Sequence, residues 1–225
     1  MGMREYCAEY GQNPNAVPDI AGKYAGKNAV VCGDAACIWE DLETLGARKN
    51  AGGNRRGRVE MEGFDFLTVN KLIETFPGNI AHAYSNEPSL LMKFIAARRT
   101  EYRREFTTVT NTHSCNQGAK YRWPFGGHGT SGLGACLVAL GLGYDKVIVC
   151  GMPLDNGPHN GEPPWRNCRF EVSEVASPKG GGIPSHWERA IRLAFDGRVT
   201  SMSGRTQEWL GSPRLQRITS MQVLG

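Results

Sequence analysis

Five histidines stand in the chain: His82, His113, His128, His159 and His186. His186 has the setting that a proton acceptor requires. It follows the run Gly180-Gly-Gly-Ile-Pro-Ser185 and lies at the start of a predicted helix. Free N–H groups and the positive dipole end at a helix N-terminus favour the neutral imidazole, which accepts a proton from an attacking hydroxyl. The same position also suits a capping surface histidine. His82 falls inside an apolar run and reads as structural. His159 is a ligand candidate close to Asp155, but no metal-binding spacing such as His-Glu-x-x-His occurs, so no metal is expected.

Two asparagines, Asn70 and Asn86, each follow an apolar strand pattern and carry donors and acceptors for a base or a ribose; each is also an ordinary turn residue. The run Gly126-Gly-His-Gly-Thr-Ser-Gly132 precedes a helix of small apolar residues. Glycines there allow close backbone approach, and Thr130 and Ser131 add hydroxyls beside the helix N-terminus, a phosphate-binding setting. No lysine follows as a Walker A loop would need. Gly33-Asp34 and Gly151 with Asp155 stand after two further apolar runs.

These residues must be positioned by strands and helices, and the pattern supplies both. Apolar runs predict strands at 28–32, 64–70, 80–85, 106–112, 146–151 and 199–202. Helical patterns cover 35–45, 88–106, 131–142, 185–195 (with Ser185 as N-cap) and 206–210. Their alternation predicts an α/β, Rossmann-like fold: a mostly parallel sheet with helices on both faces and ligands beyond the carboxyl ends of the strands. Residues 48–58 read as a mobile basic loop, and 152–183, rich in Pro and Gly, as a long active-site loop or lid. Arg98, Arg99, Arg103 and Arg104 fall mostly outside the apolar stripe of their helix. The division is an N-terminal arm at 1–27, one Rossmann-like domain at 28–211 and a tail at 212–225.

The bulk composition agrees. At 225 residues, 40% hydrophobic and 21% charged, the chain suits one globular domain and excludes disorder. Net charge is +4, a mild excess that suits a polyanion without requiring one. The 7 cysteines include no Cys-x-x-Cys pair and read as free thiols of a reducing, cytoplasmic protein. No run is long enough for a membrane span or a signal peptide.

In order, these blocks resemble the bacterial sialyltransferases, glycosyltransferases of a modified Rossmann-like fold. The resemblance covers residues 28–203. It is carried by Val30-Val-Cys-Gly33, Phe64-Asp-Phe-Leu-Thr-Val-Asn70, Tyr84-Ser-Asn-Glu-Pro88, Thr130-Ser-Gly132 with its helix, Leu142-Gly-Tyr144, the strand ending at Gly151, and His186. It implies that Gly33, Asp34, Asn70, Asn86, Thr130, Ser131, Gly132, Gly151 and Asp155 hold a nucleotide-sugar donor, CMP-linked in that family. It also implies that His186 is the general base toward an acceptor hydroxyl, such as one on a glycan. The chain departs from the family at Gly33-Asp-Ala-Ala36, where Gly-x-Gly-Pro-Ser is usual, and at Pro153. It also has no tyrosine within 156–183; Trp165, Arg166 or Arg169 would have to ease the leaving phosphate.

Pterin diphosphokinase-like proteins share the central helix–strand block, which leaves a diphosphate transferase as an alternative. Such an enzyme needs acids for Mg²⁺, and Asp34 and Asp155 are the candidates. A nucleic-acid-binding protein, or a glycosyltransferase acting on DNA bases, is the other alternative, supported by the basic runs at 48–58 and 98–104. A homo-oligomer is compatible with all of these readings.

Overall fold

The computed structural model describes residues 3–50, 58–102, 108–113, 118–125, 129–155, 160 and 182–214. Among these residues the strands are β1 (Asn28–Cys32), β2 (Arg48–Asn50), β3 (Arg58–Glu60), β4 (Phe64–Val69), β5 (His82–Tyr84), β6 (Val109–Thr112), β7 (Tyr121–Arg122), β8 (Lys146–Cys150) and β9 (Val199–Ser201). The helices are α1 (Met3–Glu9), α2 (Ile38–Leu45), α3 (Leu72–Thr75), α4 (Pro88–Tyr102), α5 (Ser131–Leu142), α6 (Ile183–Ala190) and α7 (Gly204–Leu210). A π-helical turn at Ile191–Phe195 continues α6.

Seven strands form one sheet in the order β7-β6-β5-β4-β1-β8-β9, and every pairing in it is parallel. β1 and β8 are central and covered on both faces, which is why their sequences, Asn-Ala-Val-Val-Cys and Lys-Val-Ile-Val-Cys, are apolar almost throughout. The chain lays β4 to β7 on one side of β1, then returns to add β8 and β9 on the other. The order therefore reverses between β1 and β8, where open α/β sheets place their ligand crevice.

Alternation along β1 divides the core. Ala29 and Val31 face a layer that includes α1, α5, α6 and the π turn; Val30 and Cys32 face α2, α3 and α4. α5 is apolar all round because it is covered all round, with ten of its twelve residues buried. The fold is thus Rossmann-like α/β with helices on both faces.

Several expectations are revised. The N-terminal arm packs onto the domain, with Tyr6, Cys7, Tyr10 and Ile20 buried in the same core cluster as α5 and α6. The ends of the basic 48–58 segment pair as the antiparallel strands β2 and β3; residues 51–57 lie outside the described part. Gly182, not Ser185, is the N-cap of α6, and the Ser185 hydroxyl donates to the Gly182 carbonyl at 2.8 Å. Arg98 does not belong to a basic surface. It is buried and donates to the carbonyls of Ile73, Phe76 and Gly78, which the short α3 and the turn after it leave without partners. Arg103 and Arg104 lie outside the described residues.

Five cysteines, Cys7, Cys32, Cys37, Cys136 and Cys150, are free thiols, while Cys115 and Cys168 lie outside the described residues. No helix among the described residues is long and apolar enough to cross a membrane.

Candidate functional site

The carboxyl ends of β4 and β5 meet the start of α5 in one hydrogen-bonded group. Asn70 stands just past β4 at φ 53°, a left-handed conformation that asparagine tolerates, with its side chain exposed. Its Oδ1 accepts the Ser85 hydroxyl at 2.9 Å, and the Ser85 oxygen accepts the Glu87 N–H at 3.1 Å. Asn86 Oδ1 accepts the Tyr84 hydroxyl at 2.9 Å. The Asn86 N–H in turn donates to Ser131 Oγ at 3.4 Å, tying the strand end to the helix. Tyr84 is fully buried and its phenol is held protonated by burial. Its ring lies on Gly134 of α5, where a Cβ would meet the Tyr84 oxygen and ring. His113, after β6, brings Nδ1 to 3.4 Å from the Tyr84 oxygen. Burial, then the Arg122 charge, lowers the His113 pKa.

Thr130 is the N-cap of α5: extended backbone, with Oγ1 accepting the Leu133 N–H at 3.2 Å. Beside it His186 is packed against Gly129, whose added Cβ would lie 3.2 Å from the His186 Cβ. His186 is buried, at 4% exposure, and its Nδ1 is 2.8 Å from the Tyr10 hydroxyl. Its pKa is lowered chiefly by burial, with the Arg189 cation second; the neutral state foreseen from a helix N-terminus thus has a different main cause. Arg189 lies over the Tyr10 ring at 5.4 Å and bridges Glu9 at 2.7 Å, so α1 and α6 together frame the imidazole.

The switch-point crevice holds the other expected residues. Gly33 follows β1 and Gly132 lies in the first turn of α5, and the side chain of Met152 stands against both. A Cβ at Gly33 would meet Met152 Cγ and the Gly151 carbonyl; one at Gly132 would meet Met152 Sδ. Gly151, at φ +65°, donates its N–H to the buried Asp41 carboxylate at 2.7 Å. Asp41 also accepts the Ser203 hydroxyl at 2.8 Å, joining β8 to the start of α7. Burial raises the Asp41 pKa against the opposing effect of these donors.

Asp34 is half-buried, and its carbonyl accepts the Asn160 N–H at 2.8 Å. Asp155 is exposed. Arg166 and Arg169, with Trp165, His128, His159 and most of 152–183, lie outside the described residues. No group of three or more His, Cys, Asp or Glu side chains able to hold a metal is found among the described residues.

Asn86 is therefore joined to Ser131 directly and Asn70 to the same segment through Ser85, while His186 packs against Gly129, the residue before Thr130. Gly33 and Gly132 meet through Met152. Tyr84, Tyr10 and Asp41 escaped the sequence reading as site residues, whereas Ser85, His113 and Met152 stand at the strand ends where that reading places ligands, without a role of their own. Tyr84 and Ser85 adjoin Asn86 and were open to inspection there; Tyr10 lies 176 residues from His186 and carries no local signal. No protein-family model, curated protein or solved structure matches the chain.

Proposed function

We propose that the protein is a glycosyltransferase that binds a nucleotide-sugar donor at the carboxyl edge of its sheet, in the manner of the sialyltransferases that its sequence resembles. One observation carries the reading: Ser85 and Asn86, adjacent at the end of β5, hydrogen-bond Asn70 past β4 and Ser131 of α5 respectively, and the buried His186 packs against Gly129, just before the N-cap of α5. Three polar residues at one strand edge suit recognition of a nucleotide, and an adjacent neutral imidazole suits removal of a hydroxyl proton. In the reaction, the acceptor oxygen bonds to the anomeric carbon as the bond from that carbon to the phosphate oxygen breaks. His186 takes the acceptor's proton on Nε2, which requires that its Nδ1–H be donated to Tyr10. The electron pair leaves with the nucleotide phosphate, for which Arg166 and Arg169 are the candidate partners.

A thermal-shift screen of CMP, UDP, GDP, ADP and ATP, with and without Mg²⁺, tests the reading. At 100 times its Kd a ligand adds about 3 kcal/mol, or roughly 5–10 °C in Tm for a domain of this size. Stabilisation by CMP without metal is the expected result. A response to ATP only with Mg²⁺ would transfer the assignment to the diphosphokinase class, and no response to any nucleotide would remove it. His186→Ala should abolish transfer and preserve the nucleotide shift.

A further inference from the structure

The internal hydrogen bonds of the edge decide which atoms it offers outward. The Ser85 hydroxyl is buried and accepts the Glu87 N–H, so its own proton needs an acceptor; Asn70 Oδ1, at 2.9 Å, is that acceptor. Tyr84 is buried too, and its proton goes to Asn86 Oδ1 at 2.9 Å rather than to the more distant His113 Nδ1 at 3.4 Å. The Tyr84 oxygen is then free to accept the His113 Nδ1–H, so the chain runs in one direction, from His113 through Tyr84 to Asn86. Ser131 Oγ accepts the Asn86 N–H, which leaves the Ser131 proton for another partner. Each asparagine thus has its oxygen engaged from within, and the two amide NH₂ groups are left for a ligand.

We propose that Ser85 and Tyr84 are specificity-determining positioning residues, which fix the side-chain amides of Asn70 and Asn86 so that their NH₂ groups serve the ligand, and so favour a ligand edge made of acceptors. The inference rests on the nucleotide-binding reading. Two parts of a nucleotide meet the condition. One is a pyrimidine edge with a carbonyl beside an unprotonated ring nitrogen, as in cytosine; the other is the phosphate. Uracil does not meet it, because its ring N–H would oppose an amide NH₂.

Calorimetric titration of the full chain with CMP, UMP and cytidine separates these cases. If the base occupies the subsite, CMP binds at least about tenfold more tightly than UMP, since a site built around one hydrogen-bond pattern rejects its reverse. If the phosphate does, CMP and UMP bind alike and cytidine at least about tenfold more weakly. Either result supports the inference when Tyr84→Phe, which keeps the ring on Gly134, lowers the discriminating ratio toward one. Ser85→Ala applies the same test at Asn70 if the first variant does not fold. UMP binding more tightly than CMP, equal affinity for all three ligands, or ratios unchanged in both variants would overturn it while leaving nucleotide binding intact. Absence of any binding would instead overturn the nucleotide reading, and this inference with it.

Discussion

His82 illustrates how much a single buried side chain contributes to the pH response. It is fully buried, with Asn111 at 3.3 Å from Nδ1, and burial depresses its pKa from 6.5 to about 4. The folded protein thus disfavours the protonated form that the unfolded chain takes up near 6.5. The associated stability is complete above that pH and is lost as pH falls through 4, about 3 kcal/mol in all. Denaturation midpoints of wild type and His82→Asn, compared from pH 7 to pH 4, should converge as acid removes the wild-type advantage; parallel curves would contradict the assignment. Asp41→Ala should cost about 1–3 kcal/mol, because the Gly151 N–H loses its buried acceptor. The base assignment of His186 has its own check, since ¹⁵N NMR reads the tautomer. Protonated Nδ1 and bare Nε2 are expected; the reverse would make His186 a hydrogen-bond donor to the leaving phosphate.

Among the elements, α5 and the end of β8 are fitted to one another through Met152. The small residues of α5 were visible in the sequence. What they are close to was not visible. Gly132 was taken to make room for a ligand, and in the structure its neighbour is the Met152 thioether. Gly132→Ala should destabilise the fold by about 1–3 kcal/mol through overpacking, and Met152→Ala by roughly 2–5 kcal/mol through a cavity. The double variant should lose less than the sum, with a coupling of roughly 0.5–3 kcal/mol in chemical denaturation. Strict additivity would show that the two side chains do not share this space. Arg98 of α4 makes the complementary point. Helical periodicity left it off the apolar stripe, yet three carbonyls near α3 draw it inside.

Over the whole molecule, the N-terminal helix joins the sheet's core to the candidate base. Tyr6 and Cys7 of α1 are fully buried, Tyr10 meets His186, and Glu9 pairs with Arg189 and Arg192. Deleting residues 1–12 should lower stability by at least about 3 kcal/mol from lost apolar burial. It should also release His186, read as a shift of its ¹⁵N resonances. Retention of both stability and resonances would mean that α1 is dispensable.

The alternation of apolar runs such as Ala29-Val-Val and Val147-Ile-Val with helical stretches was enough by itself to establish the parallel α/β class and the edge where Asn70, Asn86 and Ser131 would lie. Local periodicity records which face of an element is buried, and such faces admit few layer arrangements. Helix α1, the short strands β2, β3 and β7, and the pairs His186–Tyr10, Gly151–Asp41 and Gly132–Met152 were decided only by the tertiary structure. α1 spans about two turns and α3 about one, too few for a repeating apolar stripe to stand out. The pairs join residues as far apart as 176 positions, and their contact depends on strand order and on which face each crossover takes. No local pattern encodes that order, because it is settled by how all the elements bury their apolar faces together.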